Sequence, residues 1–252
     1  MKNREELFKK ILSDLKNKQD VCEEFKYIGT GNPFSNILII GKEASIIREI
    51  DEEQYNKEIL ENFKDWNNLR DFNSDKIKER DFQNYSPLYP YKGQMLTIND
   101  GKNFGTSKTW MNYQKLINFI FNDLDNKSIN FHEYSFLTEV NSTPSRKTKD
   151  AKTDSIPFRK KNILSSDFFK DFSVVIISGV GYFEISDGYN EIEKIFDVKF
   201  LEKRYANTNN NTQPFWVHTS KTKIVINTHQ LSIGISDLLL KEVASEVSKF
   251  LK

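Results

Sequence analysis

Apolar residues follow two different periods along this chain. Between residues 3 and 18, Leu7, Ile11 and Leu15 recur at i, i+4 and i+8 among charged neighbours, which predicts an amphipathic helix. "NILIIG" (36–41) and "SVVIISG" (173–179) are instead continuous apolar runs rich in Ile and Val and stopped by glycine. They are too short for helices and read as strands buried on both faces. "YSFLTEV" (134–140), "FWVHTS" (215–220) and "TKIVINT" (222–228) read as further strands. Helical spacing returns at 52–64, 106–124, around 182–195 and at 234–251, with a short helix at 167–172; Ser236 and Asp237 are the capping candidates of the last long one. Short strands alternating with helices predict an α/β fold: a central, mostly parallel four-stranded sheet flanked by helices.

No repeat or low-complexity linker divides the chain, so residues 1–252 are expected to form a single domain. Two stretches depart from the alternation. Residues 70–105 are polar and irregular, with Pro87, Pro90, Gly93, Gly101 and Gly105. So long a loop in a compact domain is usually functional or disordered. Residues 142–162 read as a basic loop, whose "RKTKDAKTDSIPFRKK" (146–161) holds seven basic residues against two acidic. Over the whole chain 37 Lys and Arg face 36 Asp and Glu, so net charge selects no partner. Cys22 is the single cysteine, which excludes an internal disulfide and a cysteine-ligated cluster. There is no apolar run of membrane-spanning length and no signal-peptide pattern at the start, so the expected setting is cytoplasmic.

In an open α/β sheet, ligands sit beyond the carboxyl ends of the strands. Those ends carry Lys42 and Glu43, then Glu139 and Asn141, then Gly179 to Tyr182, then Asn227 to His229. The order of these segments resembles the uracil-DNA glycosylase superfamily. "GKEAS" stands where that family ends its first strand with a water-activating Asp or Asn, and offers Glu43. "YPYKGQ" (89–94) stands where its iron–sulfur branch carries a ring that stacks on the flipped base, and offers Tyr91. "FLTEVNSTPSRK" (136–147) stands at the base-reading strand, with Glu139 or Asn141 as reader. "NTHQLS" (227–232) stands at the motif that grips the strand and supports the departing base, with Asn227 in the His position and Leu231 and Ser232 retained. The resemblance spans roughly 27–251. The cluster cysteines are absent, as are the prolines of the first and last motifs.

The resemblance implies a protein that flips a base out of single- or double-stranded DNA and hydrolyses its N-glycosidic bond, with no metal and no organic cofactor. Glu43 is then the catalytic carboxylate, supported by Asn227 or His229 at the leaving base. Lys42, Arg146, Lys147, Lys149 and Ser232 contact the DNA backbone, and Leu231 is the minor-groove wedge. A Glu139 carboxylate offers acceptors to an exocyclic amine such as cytosine N4, which disfavours plain uracil. Each assignment has an ordinary counterpart: Glu43 a solvated charge near a helix N-terminus, Glu139 the partner of a lysine, Tyr91 a packed surface ring, the basic run a solvated loop. Two other functions stay open: a non-catalytic nucleic-acid or nucleotide binder of the same fold, and a Rossmann-like protein for a small phosphorylated ligand. His132 and His218 have no partner at metal-ligand spacing and read as structural. Oligomeric state is not legible.

Overall fold

The computed structural model describes residues 3–69, 71–72, 86–88, 90, 107–122, 129–208 and 211–252. Tyr91, the expected stacking ring, lies outside them, as does most of the irregular 70–105 stretch.

The chain opens with helix α1 (Arg4–Lys16), a short edge strand β1 (Thr30–Gly31) and the buried strand β2 (Ile37–Gly41). Helix α2 (Glu52–Tyr55), a π-turn (Asn56–Leu60) and α3 (Asn62–Asn68) follow. Next come α4 (Lys108–Ile120), α5 (Phe131–Tyr134) and strand β3 (Ser135–Glu139). Helix α6 (Ser155–Arg159) continues as a π-turn (Lys160–Leu164) and leads to α7 (Asp167–Lys170) and strand β4 (Val174–Ser178). A two-strand hairpin, β5 (Ile185–Ser186) and β6 (Tyr189–Asn190), precedes α8 (Glu191–Phe196). Strands β7 (Lys199–Thr208), β8 (Asn211–Thr219) and β9 (Ile224–Thr228) and helix α9 (Asp237–Leu251) complete the chain.

The sheet is wider than expected. It has seven strands in the order β1-β3-β2-β4-β9-β8-β7. Four of them, β3-β2-β4-β9, are parallel; β2 and β4 are the two runs read as buried strands, and β3 and β9 are two of the three further runs read as strands. Antiparallel β1 extends one edge, and β8 and β7 extend the other. Every residue of β2, β4 and β9 is buried, as strands covered on both faces require.

The pleat sorts the core into two halves. Phe136 on one face meets Phe8 of α1, Trp66 of α3 and Phe168, Phe169 and Phe172 at α7, with ring centroids 5.6–6.1 Å apart. Leu137 and Glu139 point to the other face, where Trp110 and Tyr113 of α4 line the same cavity. Helix α9 packs on α4 and on β7. Its N-cap is Ser236, whose Oγ accepts from the Leu239 N–H at 3.1 Å.

Three expectations change. The helix expected over 182–195 begins only at Glu191, because Gly181 and Gly188 hold φ of +102° and +75° and Asp187-Gly188 turns a hairpin instead. Strand β7 is additional; its charged residues and the irregularity between Phe200 and Glu202 hide the alternation. The basic stretch is a loop only to Asp154, after which it is helical. Lys160 there pairs with Glu191 at 2.5 Å, and Arg159 is fully buried.

The aromatic half of the core should dominate stability. Phe136→Ala is expected to cost about 3–5 kcal/mol in urea denaturation, as large core truncations do. Ile185→Ala, at a 53% exposed position, should stay within about 0.5 kcal/mol.

Candidate active site at the strand ends

The loops that leave β2 and β3 are stitched together by backbone hydrogen bonds. Val140 N–H donates to Gly41 O at 2.9 Å, Asn141 N–H to Lys42 O at 2.8 Å and Ser145 N–H to Ala44 O at 3.0 Å. This brings Glu43 and Glu139 to one cavity of about 290 Å³, at the small end of the roughly 300–1,000 Å³ common for small-molecule clefts. Tyr27, Trp110 and Tyr113 supply aromatic walls, and Thr30, Gln54, Ser107, Thr109 and Gln230 supply polar ones. Gly41 makes the close approach possible: a Cβ there would lie 2.0 Å from Glu139 Oε2.

The two carboxyl groups have different surroundings. Glu43 is 7% exposed and both its oxygens accept hydrogen bonds. The Thr148 hydroxyl donates to Oε1 at 2.6 Å, and the Tyr182 hydroxyl donates to Oε2. These two contacts fix the plane of the carboxyl group. Burial, then the hydrogen bond to Glu43, raise the Tyr182 hydroxyl above its usual range, so it stays a donor. Lys42 Nζ lies 5.6 Å from the centroid of the same tyrosine ring.

Glu139 Oε2 is buried and has no hydrogen-bond partner among the described residues. Burial, and next the neighbouring Glu43, push this carboxyl up to about 8, while Arg159 pulls the other way. At neutral pH Glu139 therefore carries its proton and presents one donor and one acceptor, not the acceptor pair expected of a carboxylate. The lysine pairing weighed for it is absent too: no lysine makes an ion pair with Glu139 among the described residues. The guanidinium of Arg159 is spent on oxygens of the backbone and of Thr138. Its Nε and Nη2 donate to Glu139 O at 3.1 and 2.8 Å, Nη2 also to Thr138 Oγ1 at 3.0 Å, and Nη1 to Tyr27 O and Phe25 O. Burial lowers Arg159 to about 10.

The other expected residues scatter. Asn141 is buried and both ends of its amide are engaged: Nδ2 donates to Lys152 O at 2.8 Å, and Oδ1 accepts from Thr143 N–H and the Ser155 hydroxyl at 3.1 and 2.6 Å. Asn227 pairs in register with Ile177, which places it on the sheet face opposite Glu139; its Oδ1 is buried and unpartnered among the described residues. His229 is exposed beside Trp216, and its neighbour Gln230 reaches the cavity instead. Leu231 is fully buried, its N–H donating to Ser178 Oγ at 2.7 Å, so it is a core residue and not an exposed wedge. Asn112 Nδ2 holds the same loop by donating to Ser232 O at 2.9 Å.

Arg146 and Lys147 line a second groove of about 690 Å³, which also holds Arg48 and Lys152 and shares Ile46 with the cavity. Glu24, Glu49 and Asp150 line it too. Lys149 is exposed in the same loop. The sequence reading did not single out Thr148, Arg159 or Tyr27 and set Trp110 and Tyr113 aside as core; it placed Gly179 to Tyr182 among the strand ends without giving Tyr182 a role. No group of three or more His, Cys, Asp or Glu side chains suited to a metal ion occurs among the described residues. Comparison with protein-family models and with curated proteins returned no match.

The raised Glu139 carboxyl has a consequence for stability. Between about pH 4.5 and 8 the folded chain keeps a proton that the unfolded chain has lost. That contribution is complete below about 4.5 and is lost as pH rises through about 8. Relative to Glu139→Gln, the wild type should lose up to roughly 5 kcal/mol across that window, read as urea midpoints from pH 4.5 to 8.5. A difference between the two that does not vary with pH would contradict the assignment.

Proposed function

We propose that the chain is a base-excising N-glycosylase of the uracil-DNA glycosylase type, acting on a nucleotide turned out of DNA. The observation that carries this reading is the pair of unlike carboxyl groups in one aromatic-walled cavity, Glu43 held by two hydroxyl donors and Glu139 buried with an unpartnered oxygen. Pairs of titratable groups whose environments push them apart are the usual signature of acid and base roles. The parallel core of four strands between helices supports the same resemblance.

In this reading the base enters the cavity between Tyr27, Trp110 and Tyr113. Glu139 donates its proton to the base as the C–N bond breaks, so the base leaves neutral. Glu43 faces the sugar, offsets the positive charge of the oxocarbenium-like state and takes a proton from the water that adds to the anomeric carbon. Among the described residues Lys42 is the one basic side chain lining the cavity, so these walls suit an uncharged base and sugar, with the phosphates left to the groove of Arg48, Arg146, Lys147 and Lys152. This favours DNA over a small phosphorylated ligand.

A protonated Glu139 also widens the choice of base. One donor beside one acceptor complements an amide-type edge, as in uracil, as well as the N3–N4 edge of cytosine. Plain uracil thus returns as a candidate substrate.

The test is base release from single- and double-stranded oligonucleotides carrying uracil, modified cytosines or damaged purines, with alkaline cleavage of abasic sites. One base should be released, and Glu43→Gln should slow release by about 10²–10⁴-fold. Replacing both Arg146 and Lys147 by alanine should weaken binding and flatten its dependence on salt. Release that survives Glu43→Gln unchanged would remove Glu43 from the chemistry, and salt-sensitive binding without release would mark a binding protein.

A further inference from the structure

The β7–β8 hairpin carries a set of groups that the cavity does not use. Lys203 pairs directly with Trp216 across the two strands, and Tyr205 pairs with Pro214 one step further on. The two-residue period of the strands puts all four on one face. Tyr205 is 49% exposed, Lys203 is exposed and Trp216 is partly so. The ammonium of Lys203 lies 5.0 Å from the Tyr205 ring centroid and 5.2 Å from that of Trp216. Exposed His229 stands with its ring 6.0 Å from Trp216. The next residue, Gln230, lines the cavity, while Trp216 pairs in register with Asn227, so the patch lies on the sheet face opposite Glu139. The opposite face of the hairpin is occupied: Arg204 bonds Glu246 of α9 at 2.6 Å.

The chemistry of this face selects its occupant. Lys203 makes no ion pair with a described carboxylate, and its exposed ammonium meets only solvent and the two ring faces. An apolar protein surface laid here would bury that ammonium without an acid, which is costly. Pairing of β7 with another strand is opposed by Lys199, by Lys203 and by the irregular register between Phe200 and Glu202. A ligand that joins flat rings by anionic links satisfies both kinds of group at once. Its rings stack on Tyr205 and Trp216, and its phosphate neutralises Lys203.

We infer that the Lys203–Tyr205–Trp216 face is a stacking platform for single-stranded nucleic acid. It holds a part of the strand further along from the nucleotide whose base occupies the cavity, past the β9 end that carries His229 and Gln230. This rests on the nucleic-acid reading of the cavity and names the form of the partner, an unpaired strand on the side of the sheet extension.

The experiment is anisotropy of labelled dT15 with the full chain, alongside base release from the substrate found above. Tyr205→Ala should weaken dT15 binding by about 5- to 100-fold, the usual loss for one stacking ring, and Tyr205→Phe should restore it. Lys203→Ala should weaken binding and lower the salt slope by about one phosphate contact. Unchanged affinity in both Tyr205→Ala and Lys203→Ala would overturn the platform, as would failure of the wild type to bind dT15. Base release that stops in Glu43→Gln but persists in Tyr205→Ala would in those cases leave the cavity reading standing. Absence of base release, with dT15 binding lost in Tyr205→Ala, would uphold the platform while removing the glycosylase reading.

Discussion

Arg159 holds the site end of the molecule together. Its guanidinium is fully buried and donates to carbonyls of Phe25, Tyr27 and Glu139 and to the Thr138 hydroxyl. One side chain from α6 thereby fixes the end of β3 and the segment that brings Tyr27 to the cavity. A cation buried this deeply needs a compensating charge, and the acidic groups acting on it are the Tyr27 hydroxyl and then the Glu139 carboxyl. Yet Glu139 faces Glu43 as well, and both acids cannot ionise cheaply at close range. The balance leaves Glu139 protonated near neutral pH and leaves Arg159 bonded to neutral oxygens. Stability is given up here, and the result is a carboxyl group able to donate a proton.

The same arrangement shapes the proposed chemistry. Tyr182 and Thr148 come from different loops and both donate to Glu43, so its orientation depends on the β4 exit and on the basic loop together. That couples the loop offered to phosphates with the group offered to the sugar. A nucleic-acid strand seated along Arg146 and Lys147 would press on the segment that carries Thr148. Binding and catalytic geometry would then be linked through a single hydroxyl.

Much of this was legible in the chain. Three of the four parallel strands, β2, β4 and β9, announce themselves as Ile- and Val-rich runs, because strands buried on both faces have no polar alternation to confuse them; β3 (SFLTE) is legible from its shorter apolar pair. Glu43 and Glu139 were legible for the related reason that charged residues directly after such runs must lie at the sheet's carboxyl edge. Strand β7 was not, since its outer residues are charged and its register is irregular. Arg159 was hidden inside a basic run, where burial of one residue in seven leaves no trace in composition. Leu231 was expected to be a wedge because the resemblance of residues 227–232 places one there; the anchors at Ser178 and Asn112 turn it inward. The opposition of Asn227 and Glu139 across the sheet depends on register, which no single strand's sequence reveals.

The most direct measurement is the titration of the Glu139 side-chain carboxyl by carbon-13 NMR in the full chain, repeated in Glu43→Gln. The account predicts a midpoint near 8 in the wild type, moving down when the neighbouring charge is removed. A midpoint in the ordinary glutamate range near 4.5, unaffected by Glu43→Gln, would contradict it.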